Sequence, residues 1–272
     1  MNRYETAFSK VNSRDEKAFI PFAVAGDPEP DVFLDIAQAY VKGGADILEI
    51  GYPFSDPVAD GPVNQRASQR AIKAGLTYST FFSMIKKIRS RTDIPIGLLL
   101  YSNTISNLGY DEFCRRASKS GIDSLLVADM PPEESRELQK SMEKQGIGRV
   151  FIVSEFTPEA RMQHICSHVD SFVYVVSRPG TTGTDTELSS TVESTLKKLK
   201  NVTDIPAAVG FGISTPEHVR EVVKAGADGV IVGSALVKEI EQAAFKGSNP
   251  ADTLEKKVSL FKAATRKKDG DV

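Results

Sequence analysis

The sequence predicts an α/β fold, a closed (β/α)8 TIM barrel, and three observations carry that expectation. Eight short apolar runs alternate with amphipathic stretches along the 272 residues. An additional amphipathic segment at the N-terminus is placed to plug the barrel bottom, and glycine-rich loops follow the seventh and eighth runs. Apolar strands separated by helices indicate a parallel sheet covered on both faces, and eight such units are the number that closes. A doubly wound open sheet is the competing fold. The count of eight, the N-terminal helix and the paired loops favour closure.

In chain order, residues 2–11 form the plug, and AFIPFAVAG (18–26) is the first strand, followed by a helix over 31–42. ADILEIG precedes a helix over 63–89, IPIGLLLY one over 110–119, GIDSLLVAD one over 133–144, and RVFIVS one over 158–168. SFVYVVS then leads to 188–199, IPAAVGFG to 216–224, and ADGVIVG to 235–244, with a short extra helix expected after the eighth strand. The chain reads as one domain over 1–272, ending in ATRKKDGDV, a frayed charged tail from about residue 266.

Thirty-four basic against thirty-six acidic residues, scattered along the chain, give no basic stripe for nucleic acid or an anionic membrane. The N-terminus lacks a signal-peptide core and no apolar run approaches a membrane span, so a cytoplasmic chain is expected. Cys114 and Cys166 have neither metal-ligand nor redox spacing. His164, His168 and His218 fall in helical stretches, which supplies no set of metal ligands at a strand end, and no lysine stands at a strand end for Schiff-base chemistry.

The chemistry begins at LEIGYPFSDPVADGP, 48–62. Side chains alternate along a strand, so Leu48 and Ile50 suit the outer face while Ile47, Glu49 and Gly51 point inward. That sends Glu49 toward the C-terminal mouth, where barrel enzymes keep their active sites. A carboxyl group there loses hydration, its pKa rises, and it suits general acid/base work. The bland alternative is a structural glutamate paired with a buried Lys or Arg. Asp56 and Asp60 in the following loop are candidates for a second, ionised carboxylate, and either also reads as turn chemistry.

Across the mouth, GFGIS (210–214) and VGSA (232–235) present Gly212, Gly233 and Ser234 where loops and a helix N-terminus cradle phosphate. Ser234 reads equally well as a plain N-cap. SRPGTTGTDT (177–186) is long, polar and hinge-rich, and reads as a lid. Cofactor-free acid/base chemistry on a phosphorylated small molecule is the class that remains.

LEIGYPFSDPVADGP closely resembles the signature of the tryptophan synthase alpha subunit family, and the resemblance runs from RYETAF to GSALVKEI. It implies a retro-aldol lyase that cleaves indole-3-glycerol phosphate to indole and glyceraldehyde 3-phosphate. The indole would pass to a beta subunit that carries pyridoxal phosphate, in an alpha2beta2 assembly, with no cofactor on this chain. By the same resemblance Glu49, Asp60 and Tyr174 are catalytic: Glu49 as the acid/base, Asp60 on the indole N–H, Tyr174 near the reacting carbons. Gly183, Phe211, Gly212, Gly233 and Ser234 bind phosphate, and Thr182 is the lid residue that meets the loop aspartate. Phe22, Leu99, Leu126, Ala128 and Ile231 line the indole pocket. Pro53, Asp56, Pro57, Asn103 and Asn107 face the partner subunit. Two departures concern the pocket: Asn64 stands where the family commonly has an aliphatic side chain, and SEFTPE (154–159) replaces a proline-rich turn. A chain retained mainly as an allosteric partner of the beta subunit is one alternative. Another is a different phosphate-binding barrel, which would want two strand-end aspartates or strand-end lysines.

Overall fold

The computed structural model describes residues 2–176, 185–210 and 212–266, with the side chains of 185–189 left aside. Its elements, in order, are α1 (Arg3–Asn12), β1 (Ala18–Val24), α2 (Pro30–Lys42), β2 (Leu48–Gly51), α3 (Pro62–Lys73), α4 (Tyr78–Arg89) and β3 (Ile96–Leu100). Then come α5 (Ser102–Ser106), α6 (Tyr110–Ser120), β4 (Ser124–Val127), α7 (Arg136–Gln145), β5 (Gly148–Arg149), β6 (Phe151–Ser154) and α8 (Glu159–Cys166). The chain finishes with β7 (Val173–Val176), α9 (Asp185–Lys200), β8 (Ala207–Gly210), α10 (Pro216–Lys224), β9 (Gly229–Val232), α11 (Ser234–Phe245) and α12 (Ala251–Ala263).

All strand pairings among these elements are parallel, and the order runs β5-β4-β3-β2-β1-β9-β8-β7-β6. The two outermost labels are halves of one strand. β5 pairs with β4, β6 pairs with β7, and Val150 between them donates its backbone N–H to Leu125. Residues 148–154 therefore close the cylinder, which excludes the doubly wound alternative.

Two apolar layers hold it. Leu48, Ile50, Leu98, Leu100 and Val230 pack outward under the helices, whereas Ile20, Ile47, Leu126, Val150, Phe172 and Ala208 fill the inside. The plug closes the lower end as expected. A capping box between Asn2 and Glu5 starts α1, and its Tyr4, Ala7, Phe8 and Val11 bury against the inner layer. Tyr4 also shares a 2.6 Å hydrogen bond with Ser124.

Four expectations need correction. The helix expected over 63–89 is two helices: α3 ends at Lys73, Gly75 takes φ of +80°, and Thr77 caps α4 through the Thr80 N–H. The helix expected over 133–144 starts only at Arg136, because Pro131 and Pro132 hold the residues before it in turns. After the last strand the extra helix is not short, since α11 and α12 have 12 and 13 residues. The frayed tail starts too early in ATRKKDGDV. Ala264 and Thr265 are buried, and Arg266 makes an antiparallel bridge and an ion pair with Glu16. Residues 267–272 lie outside the described ones. No helix among the described residues is long and apolar enough to cross a membrane.

Candidate active site at the barrel mouth

Strand alternation places Glu49 as expected, inward between Phe22 on β1 and Gly97 on β3. It is only 6% exposed, and no basic side chain pairs with it among the described residues. The reading of Glu49 as half of a buried ion pair is therefore excluded for those residues. Burial, reinforced by the negative Asp60 nearby, pushes its pKa from the ordinary 4.5 to about 8. At neutral pH this carboxyl keeps its proton and can give it away.

Asp60 ends the loop between β2 and α3, with Pro62 as first residue of the helix. The Tyr101 hydroxyl donates to its Oδ2 at 3.0 Å, the Asn64 amide approaches its Oδ1 at 3.5 Å, and Gln65 donates to its backbone carbonyl at 2.9 Å. Tyr101 also accepts from the Ala59 N–H and stacks with Phe54, so one tyrosine ties the loop to the end of β3. The expected freely ionised loop carboxylate is instead partly buried. Burial raises its pKa, and the Tyr101 and Asn64 donors pull the other way without cancelling it. Asp56 is exposed and accepts from Ser55. It takes no part in this constellation.

Tyr174 lies on β7 between Ile152 and Ala208. Its pKa is raised by burial and then by the charges of Glu49 and Asp60, so the phenol keeps its proton within the field of both carboxyls. Gly210 makes room for it: an added methyl there would sit 2.5 Å from the phenol oxygen. Gly51 does the same for the Phe22 ring, at 2.7 Å. The expected apolar wall is contiguous. Leu126, Ile231, Leu99 and Ala128 pack in the inner layer, and Leu99 joins it to Phe22. Ile152 belongs to the same wall and was not foreseen, although it shares the inward phase of Tyr174.

At the opposite rim Gly212 has φ of +77°, Gly233 occupies the N-cap position of α11, and Ser234 is the first helical residue, exposed and making no capping bond. The plain N-cap reading of Ser234 is thus wrong. A helix start without side-chain caps leaves its N–H groups for a ligand, and the helix dipole favours an anion there. Gly233 adjoins Phe22, where a Cβ would touch the ring at 3.5 Å, so this rim is continuous with the pocket. Thr182, Gly183 and Phe211, and nearly all of the lid stretch, lie outside the described residues.

Of the five residues assigned to a partner surface, Asp56, Asn103 and Asn107 are exposed, while Pro53 and Pro57 are buried within the chain itself. Val58, 85% exposed, stands among them. The histidines have local partners: His164 reaches Glu133, and His168, which follows the end of α8, shares a hydrogen bond with Gln139. Tyr101 is the functional side chain that sequence reasoning missed. Its position at the end of IPIGLLLY was the available signal.

Comparison with known proteins adds the following. The family model described as tryptophan synthase alpha chain matches residues 8–266. A tryptophan synthase alpha chain from Methanoregula boonei is 44% identical over 264 residues, 97% of this chain and 98% of its own. One from Shewanella amazonensis is 43% identical over 268 residues, 97% of this chain and all of its own. Among solved structures, tryptophan synthase subunit alpha of Legionella pneumophila superposes with a TM-score of 0.88 at 34% identity, covering 97% of this chain and 98% of that one. A chain from the Pyrococcus furiosus tryptophan synthase a2b2 complex gives 0.84 at 37%, covering 91% and 98%.

Proposed function

The chain belongs to the tryptophan synthase alpha chain family, and from that membership and the geometry of the mouth we propose that it cleaves indole-3-glycerol phosphate to indole and glyceraldehyde 3-phosphate. The observation that carries the reading is Glu49: a buried carboxyl without a basic partner among the described residues, holding a proton up to about pH 8, beside Asp60 and Tyr174.

The phosphate docks on the N–H groups at the start of α11 and the turn at Gly212, and the indole ring fills the wall formed by Phe22, Leu99, Leu126, Ala128 and Ile231. Glu49 gives its proton to indole C3. The ring becomes an indolenine whose N–H carries positive charge, and Asp60, ionised for this step, accepts that N–H and offsets the charge. The Glu49 carboxylate then takes the proton of the hydroxyl on the carbon attached to C3. The O–H electrons become the aldehyde C=O, the carbon–carbon bond breaks, and its electron pair restores the indole. Tyr174 steadies both carboxyls with its phenol. Nothing in this sequence calls for a cofactor on this chain. A beta-chain partner, carrying pyridoxal phosphate and seated over Asp56, Val58, Asn103 and Asn107, receives the indole. A cytoplasmic location goes with the reading.

The test is an assay of the purified chain on indole-3-glycerol phosphate, with and without a beta chain, beside Glu49→Gln and Asp60→Asn. Glu49→Gln lowers kcat at least about 10²-fold, the lower range for a positioned acid/base, and Asp60→Asn causes a comparable loss. The beta chain raises the parent's rate, because closing the site excludes water. Equal rates in parent and Glu49→Gln would reject the acid/base role.

A further inference from the structure

Asn64 sits in the first turn of α3 and touches the Asp60 carboxylate through its amide nitrogen, at 3.5 Å from Oδ1. An ionised carboxylate only accepts hydrogen bonds, so the NH2 end of the amide faces it. The other end is stranded: Asn64 Oδ1 is sealed from solvent and has no hydrogen-bond partner among the described residues. A buried carbonyl without a donor is destabilising, and folded proteins keep few of them. One that lies on the same amide as a contact to the proposed indole-binding carboxylate is explained if a ligand supplies the donor.

Resting on the function proposed above, we propose that Asn64 is a second acceptor for the ring N–H of the substrate, its carbonyl sharing with Asp60 the N–H that the reaction turns positive. Asp60 supplies charge at this N–H, and Asn64 supplies a neutral dipole that needs no counter-ion and cannot be lost by protonation near neutral pH. As positive charge develops on the ring nitrogen, the N–H becomes a stronger donor, so the contact strengthens toward the transition state rather than only in the bound ground state. An aliphatic residue at this position would still fill the volume but would leave the N–H to Asp60 alone. The pair also makes the site selective. A ligand without a ring donor leaves the Asn64 carbonyl unpaired and takes one donor from Asp60, and such sites discriminate far more strongly than an apolar pocket does.

The experiment compares two uncleavable ligands, 3-(indol-3-yl)propyl phosphate and its benzothiophene counterpart, which lacks the ring N–H, by calorimetric titration of the parent and of Asn64→Leu. Kinetics on indole-3-glycerol phosphate run in parallel, and melting curves confirm that each variant is folded. The parent prefers the indole ligand by at least about tenfold, the scale of one well-made hydrogen bond. In Asn64→Leu that preference shrinks about three- to tenfold while the benzothiophene ligand binds as before or tighter, and kcat falls more than KM rises. Asn64→Ala gives the same loss of preference if the leucine variant does not fold. An unchanged preference, or equal weakening of both ligands, overturns the role of Asn64 while leaving the proposed reaction intact. Failure of the parent to bind either ligand or to turn over the substrate overturns the proposed reaction, and the role of Asn64 with it.

Discussion

Two sets of carboxylates, one at each end of the barrel, are partnered in opposite ways. At the lower end Asp46, Asp123, Asp170 and Asp228 each precede a strand and accept from the backbone N–H at the start of the strand before it: Phe19, Ile96, Arg149 and Ala207 respectively, at 2.5–3.1 Å. Each also meets a cation: Lys262, Arg89, Arg149 and Lys17 in the same order. At the mouth Glu49 and Asp60 have no basic partner among the described residues, and Asp60 has only a phenol and an amide. A carboxylate given an N–H and a cation is spent on closing the cylinder. Burial raises the pKa of Asp46 as well, against its Lys262 and Phe19 partners, whereas Glu49, with neither among the described residues, is pushed up to about 8 and has a proton to trade. Within this fold partnering, more than residue type, separates structure from chemistry.

The comparison breaks first at Asp123. Asp123→Ala leaves the Arg89 guanidinium half-buried without its carboxylate and the Ile96 N–H without an acceptor. The expected loss is about 3 kcal/mol of unfolding free energy in denaturant melts, with kcat of the folded protein unchanged. A large fall in kcat at undiminished stability would show that the lower end also serves the chemistry. A smaller effect sharpens the upper end. Tyr101→Phe removes the stronger donor on Asp60 and should lower kcat by about three- to tenfold with little change in melting temperature. Because that donor holds the Asp60 pKa down, its loss raises it, so the acidic limb of the kcat profile moves to higher pH. Glu49 and Tyr174 are coupled by charge to the same carboxyl, and both are retained in the variant. An unmoved limb would mean that Tyr101 only anchors the loop.

Much of this was legible in the sequence, and the rest was hidden for physical reasons. The period-two pattern in DILEIG fixes Glu49 inward because Leu48 and Ile50 need the outer core. The aspartates of the lower end were equally visible, since GGAD, SGID, SHVD and AGAD precede alternate strands. They went unread because their partners lie 21–27 residues away for the backbone contacts and up to 216 for the cation. Tyr101 escaped for the same reason, as its partner Asp60 is 41 residues back and a tyrosine closing an apolar run looks like packing. The α3–α4 break was signalled locally by Gly75 and Thr77, but continuous amphipathic periodicity across it outweighed them. α12, with Leu254, Val258 and Phe261 on one face, was foreseen only as a short helix, because charged residues separate its apolar positions. Ser234 was ambiguous because an N-cap and a first-turn serine have the same neighbours in sequence, and only the backbone angles of Gly233 assign the cap.

The central claim is that Glu49 carries its proton through neutral pH because the barrel buries it beside Asp60 and offers it no cation among the described residues. The direct measurement is the carboxyl resonance of Glu49 in protein labelled with carbon-13 glutamate, assigned by its absence in Glu49→Gln and followed from pH 4 to pH 10. The account predicts a midpoint at about 8. A midpoint near the ordinary 4.5 would mean that the carboxyl is ionised at neutral pH and has no proton to give to indole C3.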